Sequence, residues 1–142
     1  MWAGVFIVQQ TLMSNYPVPA IEHLIAEYIV NKENTFHFGR KKLDAEKEYN
    51  RLLTKYNGES KNYSLDQANK IYTSYLEMLA YTEQSKAAEE KFMEAEEKLR
   101  QVGQILFEAS ISAEIAIPAN SVEGPRTREV TVTYANGQVI VH

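Results

Sequence analysis

The chain has 142 residues and carries a formal net charge of −4. This length suits one ordinary domain, which we place at residues 1–142, and the negative charge excludes a protein that coats nucleic acid. The sequence contains no cysteine, which excludes disulfides, thiolate metal ligands and a cysteine nucleophile. Hydrophobic residues make up 44% and charged residues 24% of the chain, as is typical of a folded globular protein.

The first fifteen residues are rich in apolar side chains without a clear period. Residues 1–15 follow neither the helical nor the strand spacing, so a short strand and a first helical turn both stay open. The apolar run at residues 1–8 is too short to span a membrane, and it lacks the basic residues of a secretory signal. We therefore expect no membrane partner and a cytoplasmic location.

Two amphipathic helices are predicted in the first part of the chain. Apolar residues recur at helical spacing from Ile21 to Ile29, after a proline-rich break, which predicts a helix over residues 18–33. The same spacing recurs before Asn57-Gly58, a stop signal, and predicts a second helix over residues 40–57. The polar residues between the two patterns predict that the chain breaks there.

The longest helical pattern begins at Ser64, whose spacing from Gln67 is that of a capping box. The absence of proline further on predicts a helix over residues 64–110. Its apolar residues form two 3-4 repeats in different registers, separated by a polar stretch at residues 83–91, where the helix either continues or breaks. Short partner helices cannot cover so long a stripe, so we expect a homo-oligomer. The predicted interface consists of Leu65, Tyr72, Tyr75, Leu79, Phe92, Leu99, Val102 and Leu106.

The C-terminal part alternates apolar and polar residues with the period of a β-strand. The alternation covers residues 111–117 and again residues 128–141, where Asn136-Gly137 predicts a two-residue hairpin turn. This turn pairs Tyr134 with Val139 and places the apolar residues on one face. The predicted fold class is α+β and helix-dominated, with one long helix, continuous or broken, and a C-terminal antiparallel β-hairpin or three-stranded sheet.

Patterns for catalysis and metal binding are weak throughout the sequence. His23 lies on the polar side of a helix and His142 is the last residue, so a base for a nucleophilic triad is hard to find. His23 and Glu27 have helical spacing, but no further ligand is placed to complete a metal site. The acidic residues at 89–97 alternate with lysines, as on a solvated helix face. We expect no enzymatic activity, no cofactor and no metal.

Residues 35–42, TFHFGRKK, set two aromatics and a histidine beside three cations. In one interpretation Asn34 or Thr35 caps a helix and the aromatics pack in the core. In the other, the segment binds a small phosphate-bearing ligand, because cations at a helix N-terminus oppose the macrodipole and invite an anion. Cations from a second subunit would then complete the site. The ligand-binding candidates are Phe36, His37, Phe38, Arg40, Lys41, Lys42, Arg126 and Arg128.

Two functional hypotheses follow from these patterns. The first is a non-enzymatic, oligomeric interaction or structural protein that is assembled through the long amphipathic helix. The second is a small-ligand-binding protein that sequesters a nucleotide-like molecule at subunit boundaries, as a viral or mobile-element accessory protein would. Extended nucleic acid is disfavoured as a partner, because one short basic run neutralises only a few phosphates.

Overall fold

The computed structural model describes residues 20–56, 62–106 and 109–142. Two long helices are followed by a three-stranded antiparallel sheet, which confirms the predicted α+β class. The elements in chain order are α1 (Ile21–Tyr56), α2 (Leu65–Gly103), β1 (Ser110–Ile117), β2 (Arg126–Ala135) and β3 (Gln138–Val141). The question of strand or helix at residues 1–15 lies outside the described residues.

Helix α1 is continuous, and the prediction of two helices at residues 18–33 and 40–57 is wrong on this point. The side chains of the polar residues that suggested a break form hydrogen bonds with backbone carbonyls of the same helix. The Asn31 amide donates to the Glu27 carbonyl, and the Thr35 hydroxyl donates to the Asn31 carbonyl, both at 2.8 Å. Thr35 therefore sits inside a helix rather than at its cap.

Helix α2 begins as predicted and ends earlier than predicted. The Gln67 amide donates to the Ser64 hydroxyl at 3.2 Å, and the Ser64 amide donates to the Gln67 side chain at 3.0 Å, which completes the capping box. The helix continues through residues 83–91 without a break. It ends at Gly103 instead of residue 110, where the chain turns toward the sheet.

The two helices pack against each other in antiparallel orientation. Tyr28 contacts Phe92 with ring centroids 5.1 Å apart, and further along α1, Tyr49 contacts the earlier residue Tyr75 at 5.5 Å. Buried and half-buried positions of α2 follow one 4-3 repeat along its whole length, the spacing of a coiled-coil seam. The repeat consists of Gln67, Ile71, Ser74, Met78, Tyr81, Ser85, Ala88, Phe92, Ala95, Leu99 and Val102.

This seam corrects the prediction of two apolar registers in α2. The second predicted register, at Phe92 and Leu99, belongs to the seam, and it continues toward the N-terminus through the small buried residues Ser85 and Ser74. Of the first register, Leu65, Tyr72 and Leu79 lie outside the seam and are exposed, whereas Tyr75 borders the seam through its contact with Tyr49. The seam is covered by the 36-residue helix α1 of the same chain. The prediction of a second chain therefore no longer follows from the shortness of the helices beside α2.

The sheet has the strand order β1-β2-β3 and the predicted hairpin register. Tyr134 pairs with Val139 and Val132 pairs with Val141, which confirms the prediction. Asn136 and Gly137 have φ of 54° and 73°, as a type I′ turn requires. One face of the sheet packs on the helix pair. The shared core is formed by Leu24, Ile25, Ala26, Tyr28, Ile29, Val30, Leu99, Ile115, Ile117, Val130, Val132 and Tyr134.

The sheet covers only one end of the helix pair, which we call the base. Its contacts on α1 reach Glu33, which binds Arg126, and its contacts on α2 lie at Leu99 and Gly103. Beyond the base, residues 36–56 of α1 and 65–88 of α2 form an arm of two helices. At 1.5 Å per residue, the α1 part of this arm is about 30 Å long.

Candidate functional site

The TFHFGRKK segment lies in the middle of α1, so the interpretation as a helix start is wrong. Its side chains point to different sides of the helix. Phe36 is 67% exposed, whereas Phe38 is half-buried and lines a groove together with residues of α2. Arg40 and Lys41 are exposed, and Lys42 is half-buried. The cations therefore do not oppose a helix N-terminus, and that argument for an anion no longer applies.

Arg126 is occupied by an internal ion pair. Its guanidinium binds the Glu33 carboxylate, lies 3.4 Å from the Glu123 carboxylate and donates to the Gly124 carbonyl at 3.2 Å. The buried Ser121 hydroxyl donates to Glu33 at 2.7 Å. This cluster ties the connection between β1 and β2 to α1. Arg126 is thus committed to a carboxylate of its own chain, 93 residues away, which spacing in the sequence does not reveal.

Two neighbouring hollows receive most of the remaining predicted ligand-binding residues. The first has a volume of about 220 Å³ and brings Phe36 beside Arg128, with Lys32 and Glu33. The second, of about 560 Å³, is lined by Phe36, His37, Arg40, Lys41, Glu33, Asp44, Val122 and Glu123. Three carboxylates share this hollow with its two cations, and two of them, Glu33 and Glu123, also face Arg126. An anion would therefore meet both attraction and repulsion there, unlike in a pocket lined with cations alone.

The exposed apolar residues of α1 continue a stripe that the sheet covers at the base. Ile29 is 2% exposed and belongs to the core shared with the sheet. Phe36 and Leu43 follow at intervals of seven residues and are 67% and 56% exposed. Seven residues bring a supercoiled helix back to the same side. Both side chains therefore lie on the sheet side of the arm, just past the point where the sheet ends.

The exposed apolar residues of α2 lie on the same side of the arm. Gly103 lies against the Tyr134 ring of the sheet. Tyr75 precedes Gly103 by four heptads and therefore lies on the same side of α2. Arg100 lines a hollow together with the β2–β3 turn. Leu79 precedes Arg100 by three heptads and shares its side of α2. Tyr75 and Leu79 are therefore on the sheet side, and Leu65 and Tyr72 share the stripe of Leu79. We call this surface the open face: Phe36, Leu43, Leu65, Tyr72, Tyr75 and Leu79.

The open face contains half of the predicted oligomer interface. Leu65, Tyr72, Tyr75 and Leu79 are exposed on it. The other half packs within the chain: Leu99 is fully buried, Phe92 and Val102 border the core, and Leu106 is half-buried beyond the end of α2. Leu43 was not among the predicted interface residues, and Phe36 was predicted only as a ligand-binding residue. Their seven-residue spacing from Ile29 was the available signal.

A groove of about 810 Å³ runs along the helix pair on the side away from the open face, and Pro118 and Asn120 of the β1–β2 connection line it at the base. Its floor contains small residues such as Ala88 and Ala95, and its rim alternates Lys91 and Lys98 with Glu94. His23 lies there, 3.1 Å from Glu27. Among the described residues, no three histidine or carboxylate side chains are grouped to hold a metal ion.

Two buried tyrosines have altered protonation equilibria. Burial raises the pKa of Tyr134, whose hydroxyl donates to the Leu99 carbonyl at 2.8 Å. Burial, and secondarily the charge of Glu96, raises the pKa of Tyr28. Both phenols are thus held in the neutral form inside the core, where Tyr134 joins the sheet to α2 and Tyr28 packs against Phe92.

Comparison with family models, with curated proteins and with solved structures found no match for this chain. Within residues 20–56, 62–106 and 109–142, no helix combines the length and the apolar character needed to cross a membrane.

Proposed function

We propose that this chain is a non-enzymatic interaction protein that self-associates through the open face of its arm. One observation carries the proposal: six large apolar side chains of the arm are exposed on the same side, in line with residues that the sheet buries at the base. Scattered apolar residues are ordinary on a protein surface, whereas a contiguous patch marks an interaction site.

The size of the open face supports association of moderate strength. Burying each large apolar side chain contributes about 1.5–3 kcal/mol, and association costs about 4–15 kcal/mol in lost freedom of motion. Association of two copies buries six side chains on each, and at the lower figure their twelve contributions sum to about 18 kcal/mol. A cost of about 10 kcal/mol, in the middle of the range, then leaves a net gain of about 8 kcal/mol, which corresponds to a dissociation constant in the micromolar range.

Sedimentation equilibrium tests the proposal. The wild-type chain at tens of micromolar should sediment as more than one copy, and Tyr72→Glu/Leu79→Glu should be monomeric with an unchanged circular dichroism spectrum. Ile105→Glu is the matched control, because Ile105 is 82% exposed and lies outside the arm. A wild-type chain that stays monomeric, or a double variant that still associates, would contradict the proposal.

A small anionic ligand is the second candidate function, and the position of Phe36 between Arg128 and Arg40 favours it. A phosphate would bind the guanidinium of Arg40, and a base would stack on Phe36. Thermal-shift measurements with nucleotides and cyclic nucleotides test this. A ligand at a hundredfold excess over its dissociation constant stabilises by about 2.7 kcal/mol.

Arg40→Ala should abolish that stabilisation while changing the stability of the free chain by no more than about 0.5 kcal/mol. Lys47→Ala is the control, because Lys47 is exposed on the same helix outside the hollow. An anion-induced shift that survives in Arg40→Ala would argue against this site.

The proposed function needs no cofactor and no catalytic group. We also propose a cytoplasmic location, which fractionation of cells that express a tagged chain would test.

A further inference from the structure

We propose that the open face is covered by the arm of a second copy, antiparallel to the first and related to it by a two-fold axis. This inference rests on the proposed function and names its partner and geometry. It predicts a central bundle of four helices, with one sheet at each end.

The half-covered helix pair gives the first argument. At the base, the helices carry the sheet as a second layer. Within residues 20–56, 62–106 and 109–142, nothing forms such a layer on the arm, and Leu43, Tyr72 and Leu79 are exposed on that side. Packed helices lie about 8–10 Å apart and packed sheets about 10 Å apart. A second arm therefore has the thickness of the sheet and fills the layer beside it.

Steric exclusion selects the antiparallel orientation. The sheet and the open face are on the same side of the helix pair, because Ile29, Phe36 and Leu43 form one stripe. Two copies packed in parallel would bring both sheets into the same space. In the antiparallel arrangement, each sheet lies beyond the tip of the other arm.

The contact area is sufficient for a dimer. An arm about 30 Å long and two helices wide, or about 20 Å, covers roughly 600 Å² on each copy. The total of roughly 1,200 Å² is at the lower limit for specific protein–protein interfaces. A single helix laid on the arm would bury about half of that, which makes a whole second arm the better occupant.

The two-fold relation fixes which residues face each other. The α2 part of the arm spans residues 65–88, so its midpoint lies near residues 76 and 77. Ala68 of one copy should then lie close to Lys86 of the other. Both residues are exposed, and their positions in the heptad repeat put both on the open-face side.

Disulfide trapping tests this geometry, because the natural chain has no cysteine. Full-length Ala68→Cys and Lys86→Cys chains are mixed and oxidised mildly with diamide. We expect a disulfide-linked dimer that contains one of each chain, in at least tenfold higher yield than in a mixture of Ala68→Cys with Gln84→Cys. Gln84 is the matched control, since it is exposed two residues away but lines the groove on the opposite side.

The possible outcomes separate the two proposals. Efficient dimers from Ala68→Cys alone would indicate parallel arms and overturn the inference, and so would equal yields with Gln84→Cys. If the wild-type chain associates in sedimentation but the mixed disulfide does not form, the proposed function stands and the geometry is wrong. A wild-type chain that is monomeric in sedimentation removes both.

Discussion

Two glycines inside the helices have opposite surroundings. A Cβ at Gly103 would lie 2.4 Å from the Cδ1 atom of the Tyr134 ring, whereas a Cβ at Gly39 would meet no atom of the described residues within 4 Å. Glycine in a helix costs about 0.5–1 kcal/mol relative to alanine. At Gly103 the missing side chain lets the sheet reach α2, and at Gly39 it serves no packing purpose.

Alanine substitutions should therefore shift stability in opposite directions. Gly103→Ala is expected to destabilise the fold by about 1–3 kcal/mol, because the added methyl overpacks against Tyr134. Gly39→Ala should stabilise it by about 0.5–1 kcal/mol. Urea unfolding followed by circular dichroism measures both values, and each variant is the control for the other. Equal effects at the two positions would show that the sheet does not approach α2 at Gly103.

The buried phenol of Tyr134 predicts a loss of stability in alkali. Burial raises its folded-state pKa above the ordinary value of 10.0, so the folded chain binds this proton more tightly than the unfolded chain. Its contribution to stability is complete below pH 10 and is lost as the pH rises through the folded-state pKa. We therefore expect the urea midpoint to fall as the pH rises above 10.

Tyr134→Phe should reduce this alkaline fall, at a cost near neutral pH of about 0.5–1.5 kcal/mol for the lost hydrogen bond to Leu99. Tyr72→Phe is the control, because the Tyr72 side chain is 61% exposed. An alkaline fall in Tyr134→Phe as large as in the wild type would assign the effect to other groups, of which Tyr28 is the first candidate.

At the scale of elements, the hairpin between β2 and β3 depends on two residues with positive φ. Asn136 and Gly137 have φ of 54° and 73°, a region that β-branched residues tolerate poorly. Gly137→Val should destabilise the fold by about 1–3 kcal/mol. Gly137→Asn is the control, since asparagine accepts this conformation. Thermal unfolding of the two variants measures the difference, and similar midpoints would argue against the type I′ turn.

Several residues of α2 are buried because they face α1, although their sequence pattern predicts exposure. Ser74, Ser85 and Ala88 are buried in the α1–α2 seam although none is strongly apolar. Small side chains at these positions let the two helices approach closely. The polar stretch at residues 83–91 therefore looked solvated on all sides in the sequence, while its 4-3 positions in fact face α1.

At the scale of the whole molecule, self-association should make the thermal midpoint depend on concentration. A partner that binds only the folded chain stabilises it by mass action. The wild-type midpoint should rise measurably between about 1 μM and 100 μM, whereas Tyr72→Glu/Leu79→Glu should have the same midpoint at both concentrations. Scanning calorimetry or near-ultraviolet circular dichroism gives the midpoints. A wild-type midpoint independent of concentration would count against a dimer.

Elements whose signals are local could be predicted from the amino-acid sequence alone. The Ser64 capping box, the Asn136-Gly137 turn and the alternation of residues 111–117 each depend on neighbours within a few residues, and the structure confirms all three. The 3-4 spacing also predicted an oligomer interface that includes Leu65, Tyr72, Tyr75 and Leu79. These four side chains are exposed on the single chain, and their contact with a second copy stays a prediction.

Features that depend on residues far apart in the chain could not be predicted before the folded structure was known. Packing against α2 keeps α1 continuous through a polar stretch and Gly39, because the contacts offset a weak local propensity. Glu33 meets Arg126 across 93 residues and removes it from the predicted ligand site. The sheet covers the base and does not extend over the arm. Residues of one apolar stripe are therefore buried at the base and exposed on the open face, although the stripe is equally apolar in both parts. Whether a side chain is buried depends on the element that packs against it, and the spacing of residues in the sequence does not identify that element.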